Sequence, residues 1–379
     1  MISIDVKEKC CGCTACINSC PKKCIEMEKD EEGFLYPKVS KEKCINCGLC
    51  EKVCPILNKK EELQEKTLAY AVYAKADEIR NNSSSGGTFS LIANKILSQG
   101  GYVCGCAFDN DFKVEHILID DISEIKDIRG SKYVQSDLKD SFTKIKELLE
   151  AEKKVLFSGT PCQIEGLKMF LRKPYDNLFL IDIVCHGAPS PMVWEQYKTY
   201  QEEKFSSSIS YVSFRDKKYG WKDYRVKLDF NNGQTYLTRN WDDIYIKSYI
   251  KDLISRPACY ECNFRKWHRE SDITLGDFWG IEHALPEWND DKGVSLVMVH
   301  SEKGSKMLNS LLEQIEIKDV TKEAAIQYNK SIILSNGKPR DREKFFKTLD
   351  KEGYSAVIKK YVNDSFRDKL KNLSKRLKR

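Results

Sequence analysis

The sequence predicts a mixed α/β chain, α+β overall, and three observations carry that prediction. Within the first 54 residues the pattern Cys-x-x-Cys-x-x-Cys-x-x-x-Cys-Pro occurs twice, which calls for a small N-terminal unit whose loops gather thiols. From Leu68 to His300 apolar strand-like runs alternate with amphipathic helical ones, the rhythm of helices covering a mostly parallel sheet. Between Ser210 and Thr238 polar and apolar residues alternate around Asn232-Gly233, the signal of an antiparallel β-insert closed by a two-residue hairpin.

The first copy of the cysteine pattern runs through Cys10, Cys13, Cys16 and Cys20 to Pro21, and the second through Cys44, Cys47, Cys50 and Cys54 to Pro55. This is a two-cluster ferredoxin signature. Three thiolates on a tight loop wrap one face of an iron-sulfur cube, while the fourth, just before a proline, points to the other loop's cluster. The pairing is therefore expected to cross: Cys10, Cys13, Cys16 and Cys54 hold one [4Fe-4S] cluster, and Cys44, Cys47, Cys50 and Cys20 hold the other. Cys11 and Cys24 are left over. A disulfide framework or a pair of zinc sites would also use spaced cysteines, but neither explains the repeated third cysteine and the Cys-Pro.

The elements follow in order. A ferredoxin-like unit over 1–58 gives way to a charged linker over 59–67. The α/β domain, 68–300, opens with a strand from Leu68 to Ala76 and a helix to Ser98. Strands at Tyr102–Phe108 and Val114–Ile119 precede a helix from Leu138 to Ala151. A strand at Val155–Ser158, a helix at Gln163–Leu171, a strand at Leu178–Val184 and a helix from Pro191 continue the alternation. The β-insert occupies about 208–240, followed by a helical run from Asp242 to Ile254, a cysteine-bearing loop, and strands at Ile273–Leu275 and Val294–His300. Residues 301–379 are expected to be a helical C-terminal region with a basic tail.

At 379 residues the chain has room for two or three domains with a substantial core. No apolar run reaches the ~18 residues that span a bilayer, and the start, Met1 to Asp5, lacks a secretory signal. A cytoplasmic protein is expected, in which sixteen cysteines serve as metal ligands rather than disulfides. The net charge is +6, and the tail from Ile358 to Arg379 carries nine Lys or Arg against two Asp. The remainder is near neutral, which argues against a broad nucleic-acid surface. Phe366, Leu370, Leu373 and Leu377 recur at helical spacing in the tail. Such a helix packs on its own domain by default, with docking on an acidic partner or an anionic membrane surface as the alternative.

A second constellation lies outside the N-terminal unit. Cys162 follows a strand through a Gly-Thr-Pro turn and falls in the first turn of a helix, where N–H groups favour a thiolate. Cys185 leaves the next strand in the same way. Parallel strands end on one rim, so the two are expected to be neighbours, and Cys259 with Cys262 would close a four-thiolate cage for a third cluster. A Cys185–His186 nucleophile and base pair is the weaker reading, because catalytic partners are usually brought together by the fold rather than by adjacency. Cys104 and Cys106 share one face of a predicted strand and are expected to be core residues.

The segments Ser158–Gln163, Asp182–Pro191, Arg256–Cys262 and Ser271–Gly280 resemble the coenzyme F-420 hydrogenase/dehydrogenase beta-subunit family over nearly the whole chain. The resemblance implies an FAD-binding α/β domain with its own [4Fe-4S] cluster, and Cys162, Cys185, Cys259 and Cys262 match the positions of the family's cluster cysteines. It implies hydride exchange with a deazaflavin or another organic substrate, and a redox partner protein. A flavin also suits the chemistry, since it converts single electrons from clusters into electron pairs.

For that flavin the sequence offers Asn82 to Thr88, whose Ser84, Ser85, Gly86, Gly87 and Thr88 open a helix able to receive a phosphate. Read alone, such a turn is capping chemistry in most cases, and it is the family resemblance that favours a flavin or substrate contact. Lys132 and Tyr133 lie in a segment similar to the family's and would supply a cation and a stacking ring. Thr160 and Asp277 complete the cofactor-binding candidates, and Phe278 and Trp279 are pocket-lining candidates. A non-catalytic electron-transfer protein docked to a separate oxidoreductase is the alternative function. A structural zinc at Cys259 and Cys262, with no flavin, is a third.

Overall fold

The computed structural model describes residues 1–59 and 66–362. Most of the charged linker and the Phe366–Leu377 stripe lie outside the described residues. At the N-terminus the repeated cysteine pattern produces a repeated backbone. In the first loop Gly12 and Thr14 adopt left-handed conformations (φ 74° and 59°), and in the second Asn46 and Gly48 do so at the matching places (φ 53° and 69°). Each loop then enters one short helical turn, Ala15–Asn18 or Leu49–Lys52. A hairpin of β1 (Ile25–Lys29) and β2 (Leu35–Val39) pairs Ile25 with Val39 and connects the two loops.

Eight strands build the main sheet: β3 (Leu68–Ala74), β4 (Tyr102–Phe108), β5 (Val114–Ile119), β6 (Val155–Gly159), β7 (Leu178–Ile183), β11 (Ile273–Asp277), β12 (Ser295–Val299) and β13 (Ile315–Asp319). Between β7 and β11 lies the antiparallel insert of β8 (Ile209–Asp216), β9 (Arg225–Phe230) and β10 (Thr235–Arg239). The main sheet runs in the order β13-β3-β12-β11-β7-β6-β4-β5. Only the central pairings, β11 with β7, β7 with β6 and β6 with β4, are parallel. Both flanks are antiparallel, so the expected mostly parallel sheet is a mixed one with a parallel centre.

Two further expectations are corrected. The C-terminal region expected to be helical contributes the edge strand β13, whose apolar Ile315 and Ile317 alternate with Glu316 and Lys318. An edge strand needs only one apolar face, so its pattern is brief. The Asn232-Gly233 turn is not a two-residue hairpin: Phe230 and Gln234 pair across Asn231, Asn232 and a left-handed Gly233 (φ 82°). Gly supplies the positive φ that a three-residue loop requires at its last position.

Alternation along the strands decides the two sheet faces. Val103, Leu156 and Ile181 pack with Leu91, Ile92 and Ile96 of the helix Thr88–Ser98. Cys104, Val155, Phe157 and Leu180 face the other way, against the helices Ser141–Glu150 and Pro161–Leu171. Cys13, Ala15 and Val53 of the N-terminal unit join this second core. The unit is thus docked and not merely tethered. Gly33 packs on Met192, and Glu32 forms a buried, bidentate ion pair with Arg342 at 2.7 and 2.5 Å. Removing one partner of such a pair leaves an uncompensated charge and costs about 3–5 kcal/mol.

Candidate functional site

Each N-terminal loop borders its own cavity. One is lined by Cys44, Cys47 and Cys50 together with Cys20 from the other loop. The second is lined by Cys10, Cys13 and Cys16 together with Cys54. The crossing anticipated from the spacing is therefore the crossing of the backbone. The two extra cysteines divide evenly: Cys24 borders the first cavity, its sulfur 3.4 Å from that of Cys20, and Cys11 borders the second. The first cavity lies at the surface, with Cys47 exposed and Ile45 58% exposed beside it. In the second, Cys13, Cys16 and Cys54 are all buried. Burial pushes the Cys16 thiol up to about 12, so a bare thiolate is disfavoured there and one sharing its charge with a metal is not.

The second cavity adjoins a much larger one. Cys11 lines both, and its thiol faces Cys13 on one side and Cys162 on the other, each pulling on its titration. Arg256 reaches the same junction from the loop that carries Cys259. Its Nε donates to the Cys10 carbonyl at 2.7 Å, and one Nη donates to the Cys10 sulfur at 3.4 Å and to the Leu35 carbonyl at 2.9 Å. The other Nη donates to Gln135 Oε1 at 3.1 Å.

The large cavity, about 750 Å³, is lined by Cys162, Cys185, Cys259 and Cys262. Topology explains the convergence. β6 and β7 are parallel neighbours, so the turns leaving them bring Cys162 and Cys185 to one rim. A short 3₁₀ turn at Pro257–Glu261 presents Cys259, whose sulfur accepts from the Ala188 N–H at 3.3 Å. Burial pushes the Cys185 thiol up to about 12 and raises Cys259 further. Among the described residues no three His, Cys, Asp or Glu side chains close on a single-ion site. The thiols stand around the cavity walls.

The same cavity is lined by Ser84, Ser85, Gly87 and Thr88 at the start of the helix Thr88–Ser98, and by Lys132, Tyr133, Thr160 and Asp277. Among the described residues three polar atoms of its lining side chains have no partner: Oγ1 of Thr88, which is 1% exposed, Nδ1 of His116, which is 5% exposed, and Nε of Arg215. The other His116 nitrogen lies 3.0 Å from the Ser158 carbonyl, which makes that nitrogen the donor and leaves Nδ1 an acceptor. Burial lowers the His116 pKa to about 4. Among the described residues Lys132 donates only to the Arg129 and Gly130 carbonyls, and burial draws its pKa below the usual lysine value. A desolvated cation, an unpartnered hydroxyl and open helical N–H groups form a cradle suited to a phosphate, and an acceptor on the wall suits a ring N–H. These residues fit a dinucleotide such as FAD.

Two family profiles described as "Coenzyme F420 hydrogenase/dehydrogenase, beta subunit" match the chain, the N-terminal one over residues 69–142 and the C-terminal one over residues 152–323. The chain belongs to this beta-subunit family. Residues 9–57 match a 4Fe-4S dicluster domain, and so the N-terminal unit is an iron-sulfur domain. A chain from the xenon-derivatised F420-reducing [NiFe] hydrogenase complex of Methanosarcina barkeri superposes with a TM-score of 0.49 at 14% identity, covering 78% of this chain and 94% of that one. No curated protein matches the chain. No helix among the described residues is long and apolar enough to cross a membrane.

In this member of the beta-subunit family the candidate residues separate by role. Gly86 does not line the cavity. A Cβ there would stand 2.4 Å from the Val72 carbonyl, so its bareness lets the loop tuck against β3 and β12. Thr160 sits 3.1 Å from the Cys162 sulfur and caps the helix Pro161–Leu171, on the thiol side of the cavity. The Asp277 carboxylate is occupied by Arg215 at 2.8 and 3.1 Å and by the Trp221 indole at 2.8 Å. Arg215, which also donates to Tyr133 and the Ser84 carbonyl, is the side chain Asp277 fixes. Trp279 lines the cavity and stacks on Trp221 at 4.8 Å, whereas Phe278 is core. Cys104 is buried as expected, but Cys106 lines the cavity. Sequence reasoning missed His116, Arg215 and Arg256. Only Arg256 carried a signal, as the first residue of a segment already singled out.

Proposed function

We propose that this chain is an iron-sulfur flavoprotein oxidoreductase with three [4Fe-4S] clusters and one FAD. An outer cluster on Cys44, Cys47, Cys50 and Cys20, a proximal one on Cys10, Cys13, Cys16 and Cys54, and an inner one on Cys162, Cys185, Cys259 and Cys262 form the electron path in that spatial order. The observation that carries the reading is a single cavity that holds the four inner cysteines beside the Ser84–Thr88 and Lys132 cradle and is touched by Cys11 from the iron-sulfur domain. Bound in that cavity, FAD supplies the exchange between single electrons and a hydride that clusters alone cannot perform.

The chain's own residues do the rest. The free N–H groups of the first turn of the helix Thr88–Ser98, the Thr88 hydroxyl and the Lys132 ammonium receive the pyrophosphate. Arg215, held by Asp277, sets the wall beside Tyr133, and His116 accepts a ring N–H. The exposed Cys47 edge makes the outer cluster the port for a protein partner. The deazaflavin coenzyme in the family's description supports that molecule, or an organic acceptor of similar chemistry, as the two-electron substrate, and "beta subunit" supports assembly into a larger oxidoreductase. Thiolate ligands that must stay reduced suit the reducing cytoplasm.

Anaerobic purification tests this directly. About twelve iron per chain and one FAD are expected, with the flavin bleached by reduced deazaflavin and no other protein present. Full cluster iron with no flavin would replace this reading by that of a protein that only relays electrons.

A further inference from the structure

Six arginines among the described residues are buried: Arg80, Arg215, Arg256, Arg265, Arg269 and Arg342. A buried guanidinium is expensive unless a counter-charge meets it. Four have a carboxylate: Arg80 with Asp290, Arg215 with Asp277, Arg269 with Asp182 and Arg342 with Glu32. Arg256 and Arg265 have none among the described residues, and both stand among the cysteines. Arg265 donates to the His186 and Leu334 carbonyls and lines the large cavity with Cys185 and Cys262. Arg256, 0% exposed, is the clearer case because it donates to a sulfur.

Its placement is built and not incidental. The guanidinium lies 4.3 Å from the Tyr36 ring centroid, and three backbone or side-chain oxygens accept from three of its four other N–H groups. Gly12, inside the Cys10–Cys13 loop, leaves the space it occupies: a Cβ there would stand 2.9 Å from Nη1 and 2.6 Å from Gln135 Nε2. The fold thus seats a fixed, permanently charged planar donor against one cysteine of one cluster loop. Among the described residues no arginine lines either N-terminal cavity; Arg256 meets the proximal loop from outside the cavity, through the Cys10 carbonyl and sulfur, and no arginine is seen to donate to a cysteine sulfur of the outer set.

We propose that Arg256 is the counter-cation of the proximal cluster and sets its reduction potential. This rests on reading Cys10, Cys13, Cys16 and Cys54 as that cluster's ligands. A four-thiolate cluster is a net anion that gains one further negative charge when it takes up an electron, and a cation hydrogen-bonded to a ligand sulfur stabilises the reduced form more than the oxidised one. The buried setting keeps water from screening the effect. Since Arg256 extends from the segment bearing Cys259 and Cys262, docking of the two domains and the electron affinity of the proximal cluster are one event.

The test is an anaerobic redox titration of the full chain followed by electron paramagnetic resonance. In Arg256→Gln the proximal signal should shift to more negative potential, its reduced-to-oxidised ratio at fixed poise falling about tenfold, equivalent to about 59 mV for one electron. Arg256→Lys, which keeps the charge but loses the fork, should recover part of the shift, and the outer cluster should not move. An unchanged proximal potential in Arg256→Gln with full iron content would overturn the proposal. A second measurement needs no variant: wild-type protein labelled with ¹⁵N-arginine should show a nitrogen hyperfine coupling on the reduced proximal cluster, and its absence would also overturn it. Wild-type protein lacking the iron signal altogether would refute the cluster reading and the arginine's role with it, an outcome distinct from an unchanged potential at full iron content.

Discussion

Among the described residues Lys132, on the cavity wall, forms no ion pair and the Thr88 hydroxyl has no hydrogen-bond partner, and that deficiency is a binding statement. Lys132→Met should weaken FAD binding about tenfold, ~1.4 kcal/mol, and Thr88→Val severalfold, about 1 kcal/mol. Flavin retention on dilution reads both, and iron content should not change. His116 titrates in the opposite sense to a stabilising cation. Its folded pKa of about 4 is below the unfolded value, so the unfolded chain binds the extra proton and stability falls as pH drops below about 6.5. His300, also lowered by burial, adds a second such contribution. Each amounts to about 1.4 kcal/mol per pH unit in that window, so the anaerobic thermal midpoint should decline from pH 6.5 to 5.5, and His116→Gln should remove about half of the decline. The N-terminal thiols were legible because close, repeated spacings confine each set to one loop, and Cys162 and Cys185 because both follow strands predicted to end on one rim. Arg256 was not, since its sulfur partner lies 246 positions away and only the fold joins them.

Among the elements, the helix Pro161–Leu171 carries the most weight. Its first turn presents Cys162, and its middle carries Gly166, where a Cβ would stand 2.7 Å from Cys13 Cβ and 2.9 Å from its sulfur. A side chain there must push the cluster loop away. Gly166→Val should therefore lose about four of about twelve iron per chain, measured by iron analysis and by loss of the proximal resonance signal. The sheet shows where periodicity informs and where it fails. β4 and β5 were readable to the residue because a half-buried strand alternates and a turn closes it. β13 was missed since five residues with one apolar face match the start of a helix as well as an edge strand. The direction of the flanking strands was also hidden, because alternation reports burial and says nothing of which way a neighbour runs.

At the scale of the molecule, the iron-sulfur domain and the sheet domain are held by Glu32–Arg342, by Asn18 donating to the Lys139 carbonyl at 3.2 Å and by the junction at Arg256. Arg342→Ala leaves Glu32 charged and unpaired, at a cost of about 3–5 kcal/mol. The expected outcome is increased hydrogen exchange across residues 1–58 with a slower approach of the flavin to full reduction when electrons arrive at the outer cluster. Domain content was readable from sequence because each domain declares itself by local pattern, whereas their mutual docking depends on single residues scattered over three hundred positions. The shared thiol at the seam has a hazard attached. If air strips the inner iron, Cys162 is released next to Cys11, and oxygen can remove two electrons and two protons from the pair to form a covalent staple between the halves. Aerated apoprotein should then yield a linked 11–162 peptide by mass spectrometry and refuse iron until a dithiol is added, so inactivation in air would be a locked seam rather than simple loss of metal.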